Sequence, residues 1–272
     1  MERLFVAAAS DRLDQLPLKS IVDLAARLPA SINWGLFASN ADVAHVDPMA
    51  WSLSQQAGTT QGAVNEYGFS PDAIRERVAG IAAELNVTAP QSHFEGLASA
   101  DMLGQRTRLF DLVLMSREGL QIDWMTGFET VLFQGGRPVI MVPGNWTGSI
   151  GKVITIAWNR SAETARLVAK TLELLEHADA VHVLESPNWG VPGPDGAELC
   201  DYLADHGVNV ELHQMDAKPS TAAGVVLKES QRLGADLICK GAYTQGRLSQ
   251  AFFGGATRDI LDMARMPVVF AQ

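Results

Sequence analysis

The chain has 272 residues, of which 47% are hydrophobic and 19% charged, a balance that excludes a disordered polar chain and allows a sizeable core in one large or two small domains. A formal net charge of −10 disfavours a broad basic surface for nucleic acid and favours solubility. Cys200 and Cys239 have no CxxC spacing, so no disulfide framework is implied and a reducing, cytoplasmic compartment fits; no apolar run reaches membrane-spanning length.

The N-terminus lacks a basic lead and turns polar at Ser10-Asp11, so Leu4 to Ala9 reads as a first strand and not as a signal peptide. Gln15 to Leu28 carries apolar residues at helical spacing and is stopped by Pro29. Ile32 to Ala38 is a second strand. From Asn40 to Ser70 the periodicity dissolves, with a short helix expected around Met49 to Gln56. This segment is read either as a lid or as an ordered loop whose aromatics, Trp51, Tyr67 and Phe69, tuck onto the core. Ser70-Pro71-Asp72 then opens a helix well: a capping serine, a proline at the first position and an acid against the helix dipole. A strand over Val87 to Glu95, a helix over Leu97 to Arg108, a buried strand over Asp111 to Ser116, a short helix over Gly127 to Phe133 and a strand over Pro138 to Val142 complete the first half.

The order then restarts. Lys152 to Trp158 is a strand, Ser161 to Ala178 a long helix, Ala180 to Leu184 a strand, Ala197 to His206 a helix and Val208 to Met215 a strand. Thr221 to Leu233 is a helix; Asp236 to Lys240 and Pro267 to Phe270 are strands with the helix Ala256 to Ala264 between them. Local words repeat across the halves. Asp111-Leu112-Val113-Leu114 answers Asp236-Leu237-Ile238-Cys239, and Arg137-Pro138-Val139-Ile140 answers Met266-Pro267-Val268-Val269. Two tandem α/β domains, 1–144 and 152–272, are therefore expected, each an open parallel sheet with helices on both faces.

The stretch after the fourth strand of the second half carries the chemistry. An apolar run ends at Lys240-Gly241, a polar loop follows, and Gly254-Gly255-Ala256-Thr257 enters a helix. Backbone N–H groups at such a helix entry can cradle a phosphate, and glycines let the backbone approach it. The rival reading is that the glycines only make turns. The stretch resembles the C-terminal signature of the universal stress proteins: Gly, two residues, Gly, nine residues, Gly, then Ser or Thr. Gly241 and Gly254 match, whereas Thr244 and Gly255 stand in the other two places. Taken with the repeated words, the chain is similar to a tandem universal stress protein. The resemblance implies two Rossmann-like domains of the adenine-nucleotide alpha-hydrolase type related by a pseudo-twofold, with ligand at the strand carboxyl ends. It also implies an internal pseudo-dimer or a homodimer, a role in stress response with a protein partner still to be named, and no turnover beyond weak ATP hydrolysis.

On that resemblance ATP or another adenine nucleotide is expected in the second half, with Ala157, Asn159 and Val183 near the base and Gly241, Thr244, Gly254, Gly255 and Ala256 near the phosphates. Asn159 stands where the family has an aspartate; with Ser161 it equally suits a helix cap. Lys240 and Arg247 could pair with phosphate or simply face solvent. No glycine signature follows Ser116, so the first half is expected to bind no nucleotide. His45, His93, His177, His182, His206 and His213 form no HExxH, HxH or Cys/His pattern and GxSxG is absent, so neither a metal nor a catalytic residue is expected. Cys239 is read as a redox-sensitive thiol or as a buried strand cysteine. The contrasting functional reading is a nucleotide-independent module binding an apolar ligand or a protein against Trp51, Tyr67 and Phe69.

Overall fold

A computed structural model describes residues 1–9, 12–37, 70–97, 99–116, 124–188, 190–216, 218, 221–242 and 255–272. The short helix expected around Met49 to Gln56 and the aromatics Trp51, Tyr67 and Phe69 lie outside them. The chain divides into two compact units, Met1–Thr147 and Gly148–Gln272.

Unit one runs β1 (Arg3–Ala9), α1 (Leu18–Arg27), β2 (Ser31–Phe37), α2 (Pro71–Leu85), β3 (Ser92–Leu97), α3 (Ala100–Arg106), β4 (Leu112–Ser116), α4 (Trp124–Glu129) and β5 (Val139–Val142). Its strands are parallel in the order β3-β2-β1-β4-β5. β1 and β2 are buried almost throughout, as expected for central strands covered on both faces. Gly35 is required by this packing: a Cβ there would fall 2.2 Å from Phe5 Cζ, and the Phe5 ring stacks edge-on against Phe110 at 4.8 Å.

The α2 start follows the sequence reading. The Ser70 hydroxyl accepts from the Ala73 N–H, Pro71 opens the helix, and Asn86 ends it in the left-handed region at φ 56°. Three elements differ from expectation. The strand placed over Val87 to Glu95 begins only at Ser92, because Pro90 has no N–H to give a ladder. The helix placed over Leu97 to Arg108 is α3 plus one 3-10 turn, Thr107–Leu109; Ser99 caps it and Leu97 closes β3. The helix placed over Gly127 to Phe133 begins at Trp124 and widens into a π-helical stretch, Thr130–Gly135. There α3 comes so close that a Cβ on Gly104 would lie 2.6 Å from Thr130 Cγ2, and one on Gly135 2.4 Å from Thr107 Oγ1.

Unit two runs β6 (Val153–Trp158), α5 (Ala162–Lys170), α6 (Leu172–Glu176), β7 (Ala180–Glu185), α7 (Gly196–Asp205), β8 (Val210–Gln214), α8 (Ala222–Arg232), β9 (Leu237–Gly241), α9 (Gly255–Met263) and β10 (Val268–Ala271). Its parallel order is β8-β7-β6-β9-β10, the pattern of unit one repeated. The single helix expected over Ser161 to Ala178 is split at Thr171, whose hydroxyl donates to the Leu167 carbonyl at 2.8 Å while its φ opens to −111°. A threonine bonded back in this way competes with the helical ladder.

The repeated aspartates do the same work in each unit. Asp111 accepts from the Glu2 and Arg3 N–H groups at 2.8 and 3.0 Å, tying the entry of β1 to the entry of β4. Asp236 is buried and ties the entry of β6 to that of β9. Its Oδ1 accepts from the N–H groups of Gly151, Lys152 and Val153 at 2.9, 3.0 and 3.1 Å, and its Oδ2 from the Ser149 hydroxyl at 2.5 Å. No helix among the described residues is long and apolar enough to cross a membrane.

Candidate functional site

In unit two the strand order reverses between β6 and β9, which places a crevice at their carboxyl ends. β6 delivers Ala157, Trp158 and Asn159 there, and β9 delivers Lys240 and Gly241. α5 starts directly behind, capped by Ser161, whose hydroxyl accepts from the Thr164 N–H. Asn159 is committed to that turn. Its Oδ1 accepts from the Ser161 N–H at 3.2 Å and from the Thr164 hydroxyl at 2.7 Å. Of the two expected roles of Asn159, the capping one is taken by its oxygen.

Gly241 is fixed by contact and not by backbone torsion. A Cβ at this position would lie 2.5 Å from Thr164 Oγ1, 2.8 Å from Thr164 N and 3.0 Å from Thr164 Cα. The strand end and the first turn of α5 therefore touch backbone to side chain, a close approach that only glycine allows. Ala157 is buried beside it, and Val183 is fully buried in β7, two residues short of the strand end. Gly255 and Ala256 begin α9. Thr244, Arg247 and Gly254 lie outside the described residues.

The β6–β7 side of the crevice carries a charged network that the sequence reading missed. Arg160, in the left-handed region at φ 61°, donates from Nε to Glu185 Oε1 at 2.8 Å, and Gln214 donates to Glu185 Oε2 at 2.8 Å. Glu185 is 1% exposed, so its charge depends on these two partners. Over them folds the Pro/Gly-rich connection to α7. The Val191 N–H donates to the Asn159 carbonyl at 3.1 Å and the Trp158 indole donates to the Pro194 carbonyl at 3.0 Å. A Cβ on Gly193 would lie 2.8 Å from the Arg160 carbonyl oxygen, and one on Gly196 2.9 Å from Glu185 Oε2. The signal in the sequence was the glutamate directly after the apolar pair Val183-Leu184.

Burial pulls the half-buried Lys240 ammonium down to about 8; its Nζ donates to the Gly241 carbonyl at 3.1 Å. Burial pushes the Cys239 thiol up to about 12, against a smaller opposing hydrogen bond with Thr171, which makes it the buried strand cysteine of the two readings and not a reactive one. Cys200 is also raised, by burial first and then by the charges of Asp201 and Glu185.

The described histidines of unit two fall into two groups. His177 and His206 each give a ring nitrogen to a carbonyl four residues back, Glu173 and Tyr202, at helix ends. His182 and His213 meet across β7 and β8: Nδ1 of one lies 3.0 Å from Nε2 of the other, and Glu211 Oε2 stands 3.8 and 3.5 Å from them. Burial, then the neighbouring His213, hold the His182 imidazole below its ordinary range against Glu211, with Arg232 adding to the depression. No pattern along the chain announces this group, because strand register alone assembles it.

In unit one a cavity of about 580 Å³ is lined by Arg3, Asn33, His93, Phe94, Arg106 and Phe110 among others. It lies beside the amino ends of β1 and β2, opposite the end where open α/β sheets place ligands. Asn33 is 8% exposed and its amide nitrogen has no hydrogen-bond partner among the described residues.

No known protein-family profile matches the chain, and no curated protein matches it. Solved structures do. A universal stress protein from Archaeoglobus fulgidus DSM 4304 superposes with a TM-score of 0.63 at 12% identity, covering 98% of this chain and 96% of its own. A protein of Pseudomonas aeruginosa strain UCBPP-PA14, described as a candidate universal stress protein, gives 0.59 at 15% identity, covering 100% and 93%. The cytoplasmic domain of a prokaryotic cation chloride cotransporter gives 0.51 at 12% identity, covering 99% and 94%. Both described units have the fold of these universal stress proteins.

Proposed function

We propose that the chain is a stress-response protein that binds an adenine nucleotide weakly in the crevice of unit two and turns it over little or not at all. The observation that carries this reading is the approach of Gly241 to Thr164, which keeps the junction of β9 and α5 free of side-chain bulk. The base would lie near Ala157, Asn159 and Val183. The phosphates would lie over Gly241, Gly254, Gly255 and Ala256, toward the first turn of α9. A metal ion on those phosphates would find a neutral amide at Asn159 in place of a carboxylate, and the Asn159 oxygen already has two donors. Thr244, in a glycine's place, adds a β-branched side chain beside the phosphates. Each lost contact costs about 1–3 kcal/mol, roughly tenfold or more in affinity. A cytoplasmic location, a protein partner and a homodimer belong to the same proposal.

The test is calorimetric titration of ATP into the full chain and into Thr244→Gly. Tighter binding in the variant supports a weakened nucleotide site. No heat from either protein at millimolar ATP removes the reading. It would favour instead a nucleotide-independent binding module. Two observations favour that second reading: the Asn33 amide without a partner beside the unit-one cavity, and the sharing of this fold with a cotransporter's cytoplasmic domain.

A further inference from the structure

β7 and β8 run parallel with His182 opposite Glu211 and Leu184 opposite His213. Residues opposite one another share a face of the sheet, and residues two apart along a strand share it too. His182, Glu211 and His213 therefore project from one face, at the side where β8 ends the described strand order. The same face carries Thr155, opposite His182 on β6, whose hydroxyl meets the Ser230 hydroxyl of α8 at 2.7 Å. The group thus sits beside α8, with the Arg232 guanidinium nearby but already paired to Glu229 at 2.7 Å.

The three donor atoms are His182 Nδ1, Glu211 Oε2 and His213 Nε2, separated by 3.0, 3.5 and 3.8 Å. Two of these separations are too long for the hydrogen bonds that a carboxylate and an imidazole N–H would make, which close to about 2.8 Å. They lie close to the spacing of donors around one metal ion, while the 3.0 Å contact between the two nitrogens is a hydrogen bond that an ion would replace. A tetrahedral zinc ion with bonds of about 2.0–2.2 Å holds its donors roughly 3.3–3.6 Å apart, and a point roughly 2.2 Å from all three atoms, off their common plane, exists here. Both imidazoles are mostly buried, with side-chain exposures of 13% and 17%, and their ring planes are held at 65° to one another. Their carriers are neighbouring strands of one sheet, so the donors are placed by a rigid ladder and not by a loop. The carboxylate, 69% exposed, is the one donor free to swing in and out.

We infer that His182, His213 and Glu211 form a binding site for a zinc-class divalent transition-metal ion, with water in the remaining position. Two imidazoles and one carboxylate suit zinc and its neighbours, and not magnesium or calcium, which require oxygen ligands. Binding needs both facing nitrogens unprotonated. The proton shared between the two rings moves to the far nitrogen of the ring that carries it, so the neutral pair takes up the ion by a change of tautomer without losing a proton. The site is independent of the nucleotide reading, since none of its ligands belongs to the β6–β9 crevice.

The test uses the full chain freed of metal with a chelator and titrated with zinc chloride by calorimetry, in parallel with His182→Ala, His213→Ala and His206→Ala. The wild type and His206→Ala should each bind one equivalent at low-micromolar affinity, while His182→Ala and His213→Ala weaken that binding by at least about tenfold. Cobalt titration of the wild type supplies a readout that does not depend on the variants folding: a tetrahedral visible absorption band displaced by zinc is expected. Absence of a stoichiometric wild-type site for zinc at submillimolar concentration overturns the proposal. So does binding that survives in folded His182→Ala and His213→Ala, or a purely octahedral cobalt spectrum.

Discussion

Ser116 and Gly241 occupy the same place in the two units, and they differ in what they permit. Each is the last residue of its unit's fourth strand, and each pairs with the last residue of the fifth, Val142 and Ala271. Gly241 is pressed against Thr164 and has no room for a Cβ. Ser116 carries a fully buried hydroxyl with no hydrogen-bond partner among the described residues, so at this point unit one accommodates a side chain that unit two excludes. The entry aspartates show the opposite pattern. Asp111 and Asp236 keep one job, tying the first strand to the fourth, although one accepts two donors and the other four groups. What builds the sheet is common to both units; what shapes the mouth at its carboxyl end is not.

The comparison breaks most sharply at the aspartates. Asp236→Ala strands three backbone N–H groups and a serine hydroxyl around a buried site, and should cost about 3–5 kcal/mol, whereas Asp111→Ala, with two exposed bonds, should cost about 1–2 kcal/mol. Hydrogen-exchange mass spectrometry would place the loss: peptides of unit two lose protection in the first variant and peptides of unit one in the second. Equal effects would show that the two carboxylates are not graded by burial.

Next comes the crevice floor. Gly241→Ser should destabilise unit two by about 3 kcal/mol, because two of the atoms the new side chain meets are the backbone N and Cα of Thr164 and cannot swing aside. The reverse exchange, Ser116→Gly, should cost unit one no more than about 1 kcal/mol, because the backbone entropy it adds is offset by loss of the unpartnered hydroxyl. Urea unfolding of both variants checks the contrast.

Lys240 gives a pH signature of about 3 kcal/mol. Its folded value of about 8 lies below the ordinary lysine value of 10.5, so between these the unfolded chain binds the extra proton and stability rises with pH. Below pH 8 the charged, buried ammonium exerts its full penalty; above 10.5 the penalty is gone. Lys240→Met should be more stable than the parent at pH 7, with the gap closing toward pH 10.5 in parallel thermal melts. A gap that stays constant with pH would show that the ammonium is solvated.

The smallest effect is at Ser116. Removing its unpartnered hydroxyl in Ser116→Ala should leave unit one unchanged or steadier by up to about 1 kcal/mol, read as a small upward shift in denaturation midpoint.

Much of the fold was legible because its signals are local. Ser70-Pro71-Asp72 announced α2, and the apolar runs from Leu4 and from Leu112 announced central strands. The repeated Asp-Leu words marked the start of the fourth strand in each half. What was illegible depends on contacts between elements. Thr171 splits a helix whose apolar stripe runs on past it, and the π-helical stretch at Thr130 answers the close approach of Gly104. The Arg160–Glu185–Gln214 network needs the end of β6 beside the ends of β7 and β8. His182 and His213, thirty-one positions apart, meet only once strand register is known. Asn159 was legible as two alternatives, and its oxygen takes the capping role.

The most direct measurement of the central claim, that unit two and not unit one holds the nucleotide, is photolabelling of the full chain with 8-azido-ATP followed by peptide mapping. Label should appear on peptides of unit two that contain Ala157 to Asn159 or follow Gly241, and should be competed by unlabelled ATP. Competable label on unit-one peptides, or no competable label at millimolar probe, would contradict it.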